Sequence, residues 1–103
     1  MLFLLLLAGA MACRGPRPHV DEQQTMAPAR PGAPYTVVAR LRNGGAGEGQ
    51  VEVDVQLVAA DGTTYRGSRK VDLAPHEQTV LTLHIDAPPG DYVTRVSTRY
   101  PPR

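Results

Sequence analysis

QVEVDVQLVAADG, residues 50–62, alternates without a slip, with Val51, Val53, Val55 and Leu57 on one side and Gln50, Glu52, Asp54 and Gln56 on the other. A period of two is that of an extended chain, whose successive side chains point to opposite faces. One side is apolar and the other polar, so this strand belongs to an antiparallel sheet with one face on a core and one in water. A parallel strand, covered on both faces, would read apolar throughout. Asp61 and Gly62 end the run, and a Gly that accepts positive φ makes this pair a hairpin signal.

The same period extends in both directions. Downstream, residues 63–73 carry a weaker apolar pattern of Tyr65, Val71 and Leu73. That pattern suggests an edge strand, or a bulge near Gly67. Arg66, Arg69 and Lys70 would discourage that edge from pairing with another copy. Upstream, Tyr35, Val37, Ala39 and Leu41 alternate with Thr36, Arg40 and Arg42. Ala74, Pro75 and His76 turn the chain into residues 78–85, where Leu81, Leu83 and Ile85 share a face. Pro88, Pro89 and Gly90 make the last turn, and Tyr92, Thr94, Val96, Thr98 and Tyr100 then line one side of residues 92–100. No stretch keeps helical spacing and no segment repeats. Short strands at regular turn intervals indicate an all-β sandwich or small barrel.

Composition bounds what such a domain can do. At 103 residues there is room for one core. Eleven Lys and Arg against ten Asp and Glu give a net charge of +1, which is no field for collecting nucleic acid. The single cysteine, Cys13, excludes an intramolecular disulfide and a cysteine-based metal cluster.

Its position offers an explanation. Residues 1–12, MLFLLLLAGAMA, form an apolar run too short for a membrane-spanning helix, which takes about 20 residues, and fit the apolar core of an export signal. Ala10, Met11, Ala12 and Cys13 resemble the lipobox of bacterial lipoproteins, although Ala10 stands where that motif prefers Leu and no charge precedes Arg14. The resemblance implies cleavage before Cys13 by signal peptidase II and a diacylglyceryl group on its sulfur. Without Asp at position 14 it implies transport to the outer membrane, with the domain facing the periplasm. Two other readings stay open: an ordinary secretory signal cut after Ala12, leaving a free Cys13, or a buried apolar strand. Residues 14–34 carry five prolines and read as a Pro-rich tether from the anchor, with room for a short first strand around residues 19–25. The expected division is therefore signal 1–12, anchor and tether 13–34, and β-domain 35–103.

Four segments carry a second resemblance: PARPGAPYTVVARLRNGG, VEVDVQLVAADG, LAPHEQTVLTLHI and PPGDYVTRVS. Their order resembles the immunoglobulin-like domains of the bacterial CARDB kind, over roughly residues 28–100. There a Pro-Gly lead-in precedes a strand ending in Asn-x-Gly, a Leu-Ala-x-Gly-Glu turn follows, and Pro-Gly-x-Tyr opens the last strand. Asn43 and Gly45, Leu73, Ala74 and Glu77, and Pro89, Gly90 and Tyr92 match. His76 takes the place of the turn glycine. The resemblance implies an immunoglobulin-like antiparallel β-sandwich of about 6–7 strands that acts as an adhesive, spacer or partner-binding module, with no catalytic residues to carry over.

The residues themselves point the same way. The loop NGGAGEG, residues 43–49, leads into a strand and lacks dinucleotide spacing, so it reads as a turn and not a phosphate cradle. Asn43, Gly44, Gly45, Gly47 and Glu48 are the candidate binding loop, because loops on rigid sandwiches often carry recognition. His19, His76 and His84 share no metal-ligand spacing, and no metal or cofactor is expected. Glu52 and Asp54, two residues apart, are expected to form cross-strand pairs with Arg40 or Arg42. Ser68 and Ser97 sit in no nucleophile elbow, and Tyr92 reads as a core residue with a hydrogen-bonded hydroxyl. No enzymatic activity is expected. The expected role is an envelope-anchored binding or structural module with a protein or polysaccharide partner and no nucleic acid, attached to the membrane through lipidated Cys13. The alternative is an accessory lipoprotein subunit of a secretion or envelope-assembly machine.

Overall fold

A computed structural model describes residues 15–103. The apolar run 1–12 and Cys13 lie outside the described residues. Six strands follow one another with no helix among the described residues: β1 (Pro18–Met26), β2 (Tyr35–Asn43), β3 (Gly49–Ala59), β4 (Thr64–Leu73), β5 (Gln78–Ile85) and β6 (Tyr92–Arg99). They form two three-stranded antiparallel sheets, ordered β1-β2-β5 and β4-β3-β6. The chain makes one hairpin in each sheet and crosses between sheets after β2, β4 and β5. This is a small immunoglobulin-like β-sandwich.

The strands with the cleanest alternation became the middle strands. Val37, Ala39 and Leu41 of β2 face Val51, Val53, Val55 and Leu57 of β3 across the core, and all seven are fully buried. Tyr35, Leu73, Leu81, Leu83 and Ile85 complete the cluster. A middle strand has both backbone edges paired and one face covered, so its inward positions lose all contact with water. Of the outermost strands, β5 still buries Leu81, Leu83 and Ile85, whereas β6 does not match this. The inward residues of β6, among them Tyr92, Thr94 and Val96, are only half-buried.

The hairpin signal at Asp61 and Gly62 closes the β3–β4 turn. Gly62 adopts φ +91°, its N–H donates to the Ala59 carbonyl at 2.9 Å, and the Thr63 N–H donates to the Asp61 carboxylate at 2.9 Å. That backbone donor is the main reason the Asp61 carboxyl sits below its ordinary pKa. Among the described residues β4 is outermost in its sheet, and its ladder with β3 runs unbroken through Gly67. The register shift falls instead in β1, between Val20 and Glu22.

The short first strand for which residues 19–25 left room is present as β1, and it belongs to the sandwich. Pro18–Met26 pairs with β2 along its whole length, from Pro18 opposite Asn43 to Met26 opposite Thr36. The sandwich thus begins at Pro18, ahead of Tyr35. β1 reads weakly because it is a cover strand, and of its side chains Val20 is the hydrophobic one packed against the core.

This connectivity gives the molecule two poles. The ends of β2, β4 and β6 and the starts of β1, β3 and β5 gather at one, together with residues 15–17 and 100–103. The β1–β2 turn, the β3–β4 turn and the β5–β6 loop gather at the other.

Candidate functional site

The first pole is built around Asn43, which is fully buried. Its side-chain oxygen accepts the N–H of Arg17 at 3.0 Å and of Gly45 at 2.9 Å. Its amide nitrogen donates to the carbonyls of Gly47 at 2.8 Å and Ala74 at 2.9 Å. Two acceptor positions and two donor protons are all an Asn amide has, so this one is saturated. Its backbone N–H donates to the Glu77 carbonyl at 2.9 Å. One residue therefore ties the N-terminal segment, the β2–β3 loop and the β4–β5 turn together.

Of the candidate binding loop, then, Asn43 is turned inward and its polar atoms are occupied. Gly45 is buried beside it, because a Cβ there would lie 2.9 Å from the Gly15 carbonyl oxygen and 3.2 Å from the Arg17 nitrogen. Gly47 is half-buried, and Gly44 and Glu48 are exposed. A ligand at this loop would meet Gly44, Ala46 and Glu48. The shallow hollow nearby, of about 320 Å³, is lined by Gly15, Arg17, Gly44, Gly45, Ala46 and His76.

The β4–β5 turn is closed by a reciprocal pair, the Ala74 N–H donating to the Glu77 carboxylate at 2.8 Å and the Glu77 N–H to the Ala74 carbonyl at 3.1 Å. His76, between them, adopts φ +61°. That is the left-handed conformation a glycine would take without strain, which accounts for glycine at this place in the resembling motif.

The opposite pole is built from proline turns and tyrosines. Tyr35 donates to the Gly90 carbonyl and accepts the Gly90 N–H, both at 3.1 Å. The Tyr92 hydroxyl donates to the Pro88 carbonyl, the back-bond of a tyrosine corner. Tyr92 also meets Tyr35 and Tyr65 edge-on, with ring centroids at 5.2 and 5.8 Å. Burial among these rings holds its phenol above its ordinary pKa. Between the β1–β2 turn, from Pro28 to Ala33, and the β5–β6 loop, from Asp86 to Pro89, lies an open cleft of about 370 Å³.

The charged residues pair differently from the sequence expectation. Arg40 and Arg42 meet β1, where Arg42 grips the Asp21 carboxylate through two bonds of 3.1 and 3.3 Å and Arg40 approaches Glu22 at 3.8 Å. Glu52 and Asp54 meet Arg99 of β6, at 3.8 and 3.7 Å. The reason is topological: the chain changes sheets after Asn43, so β2 and β3 are neighbours in sequence but lie in opposite layers.

Ser68 and Ser97 flank Asp54 in register. No histidine stands in that row: His19 and His84 are on the other sheet and His76 is in a turn. His84 contacts the Thr36 hydroxyl at 3.2 Å. Among the described residues no group of three His, Cys, Asp or Glu side chains is placed to hold a metal ion.

Comparison with known proteins finds no family model, no curated protein and no solved structure that matches this chain.

Proposed function

We propose that this protein is a cell-envelope lipoprotein, anchored through a diacylglyceryl group on Cys13, whose immunoglobulin-like domain is a non-catalytic binding or structural module related to the CARDB kind. The observation that carries the reading is the apolar run ending in Ala-Met-Ala-Cys, followed within a few residues by a sandwich. A thiolate is the nucleophile suited to accept the diacylglyceryl group. Two acyl chains hold firmly where one of myristoyl length binds only reversibly. The domain then faces the periplasm from the outer membrane and presents its surfaces to an envelope protein or polysaccharide.

A concrete mode of binding is strand addition along β4. β4 is outermost in its sheet and leaves one row of backbone donors and acceptors for an extended partner segment. Arg66, Arg69 and Lys70 on that strand are exposed, so an acidic segment would pair there best.

Metabolic labelling with palmitate tests the anchor. The expected result is label on the wild type and its loss in Cys13→Ser; equal labelling of the two would sink the reading. For the partner, a photo-crosslinking residue at Arg69 is expected to yield a discrete adduct in intact envelopes, and one at the β1 position Gln24 none.

A further inference from the structure

The described fold begins two residues after Cys13, and it begins tied down. The Gly15 carbonyl oxygen lies so close to Gly45 that a Cβ there would meet it at 2.9 Å, and a Cβ on Gly15 would strike the Tyr100 ring at 2.6 Å. Pro16 is buried, and packs so close to Gly49 that a Cβ there would meet its ring at 3.0 Å. Arg17 is held through both backbone groups, its N–H by the Asn43 side chain at 3.0 Å and its carbonyl by the Gly44 N–H at 2.9 Å. No slack remains in residues 15–17. A fully extended chain gains at most about 3.6 Å per residue, so the Cys13 Cα lies within about 7 Å of the Gly15 Cα.

We propose, on the strength of the lipid-anchor reading, that this domain stands on the bilayer without a tether: the Asn43 pole rests on the lipid headgroups and the proline-tyrosine pole faces outward. The length of chain between anchor and fold decides this. Acyl chains on Cys13 enter the bilayer, and about 7 Å of chain cannot lift the pole clear of the headgroup layer. The pole carries charges of both signs, the exposed Glu48 and Asp72 among them, so the short link to Cys13 and not a basic patch sets its orientation. Tyr100 is 47% exposed, an amphipathic ring of the kind enriched at membrane interfaces. Arg17 and Arg103 are exposed and long enough to reach phosphates while their stems lie along the protein.

The loop of Gly44, Ala46 and Glu48 is then at the membrane. Recognition of a soluble partner falls to the sheet edges and to the cleft between Pro28 and Pro89. β3 alone spans about 35 Å at the usual rise of 3.3 Å per residue, so the two poles differ in height by several headgroup diameters.

The test uses the lipidated full chain in phosphatidylcholine–phosphatidylglycerol vesicles that carry a nitroxide on the lipid headgroup. Cys13 is the single native cysteine and its sulfur is acylated, so one added cysteine takes a fluorophore cleanly. Ala46→Cys labels the Asn43 pole and Ala60→Cys the opposite one, both at exposed positions. The expected result is quenching several-fold stronger at position 46 than at position 60, and loss of that difference when a flexible spacer of Gly and Ser is inserted between Arg14 and Gly15. Equal quenching at the two positions without the spacer overturns the proposal while the anchor stands. Absence of palmitate on Cys13 overturns the anchor and the orientation together, and the label tells the two failures apart.

Discussion

Two residues at the Asn43 pole show how much can rest on a single side chain. Asn43→Ala keeps the backbone but leaves the N–H groups of Arg17 and Gly45 and the carbonyls of Gly47 and Ala74 without their partners. Buried groups stripped of a hydrogen bond cost about 1–3 kcal/mol each, reduced where water can enter. A loss of about 3 kcal/mol is expected for this variant, read as a lower urea midpoint at unchanged slope. His76 runs the other way. A left-handed conformation costs an L-residue roughly 1–2 kcal/mol, and part of the relief is returned through the freer unfolded chain of a glycine. His76→Gly is expected to stabilise by about 0.5–1 kcal/mol, and His76→Val to destabilise by a similar amount, because a β-branched side chain resists positive φ. Thermal melts of the three proteins at one pH decide this.

At the scale of elements, what was legible depended on how much each strand buries. β2, β3 and β5 showed in the sequence as alternation, because most of their inward residues are buried in the apolar core. β1 is held mainly by its backbone ladder to β2 and by side-chain bonds to β6, such as Thr25 to Thr94 at 2.7 Å and Gln23 to the Thr94 carbonyl at 3.1 Å. Hydrogen bonding of that kind leaves no periodic trace, so PHVDEQQTM was legible only as room for a strand. Of the candidate loop, the sequence marked Asn43 as notable through its motif, but nothing local could show that its amide turns inward. Its partners Arg17 and Ala74 lie 26 and 31 residues away. The same contrast predicts unequal local stability. Native-state hydrogen exchange is expected to show the amides of β1 opening at lower free energy than those of β2 and β3, because a cover strand with few buried apolar contacts detaches first. Exchange of all strands in a single step would contradict this.

For the whole molecule, the three crossings between sheets give the sandwich its shape and make it dependent on contacts distant in sequence. β2 pairs with β5 from Tyr35 opposite Ile85 to Arg42 opposite Gln78, and β3 with β6 from Glu52 opposite Arg99 to Ala59 opposite Tyr92, so every one of these pairs joins residues more than thirty positions apart. Folds of that kind close their long loops before the contacts repay the entropy, which slows them relative to hairpin-rich chains. The poles divide the work: one binds residues 15–17 to the β2–β3 loop beside the β4–β5 turn, and the other holds the aromatic cluster and the open cleft. The Asn43 amide also sets a clock. Its four bonds need residues 15–17, the β2–β3 loop and the β4–β5 turn to have arrived, so it is expected to form late and outside the nucleus. In stopped-flow measurements Asn43→Ala should leave the refolding limb nearly where it is and raise the unfolding rate at unchanged slope, a φ-value near zero. A chain built this way should stay open until its last segments are docked and, once the amide is seated, be slow to let go.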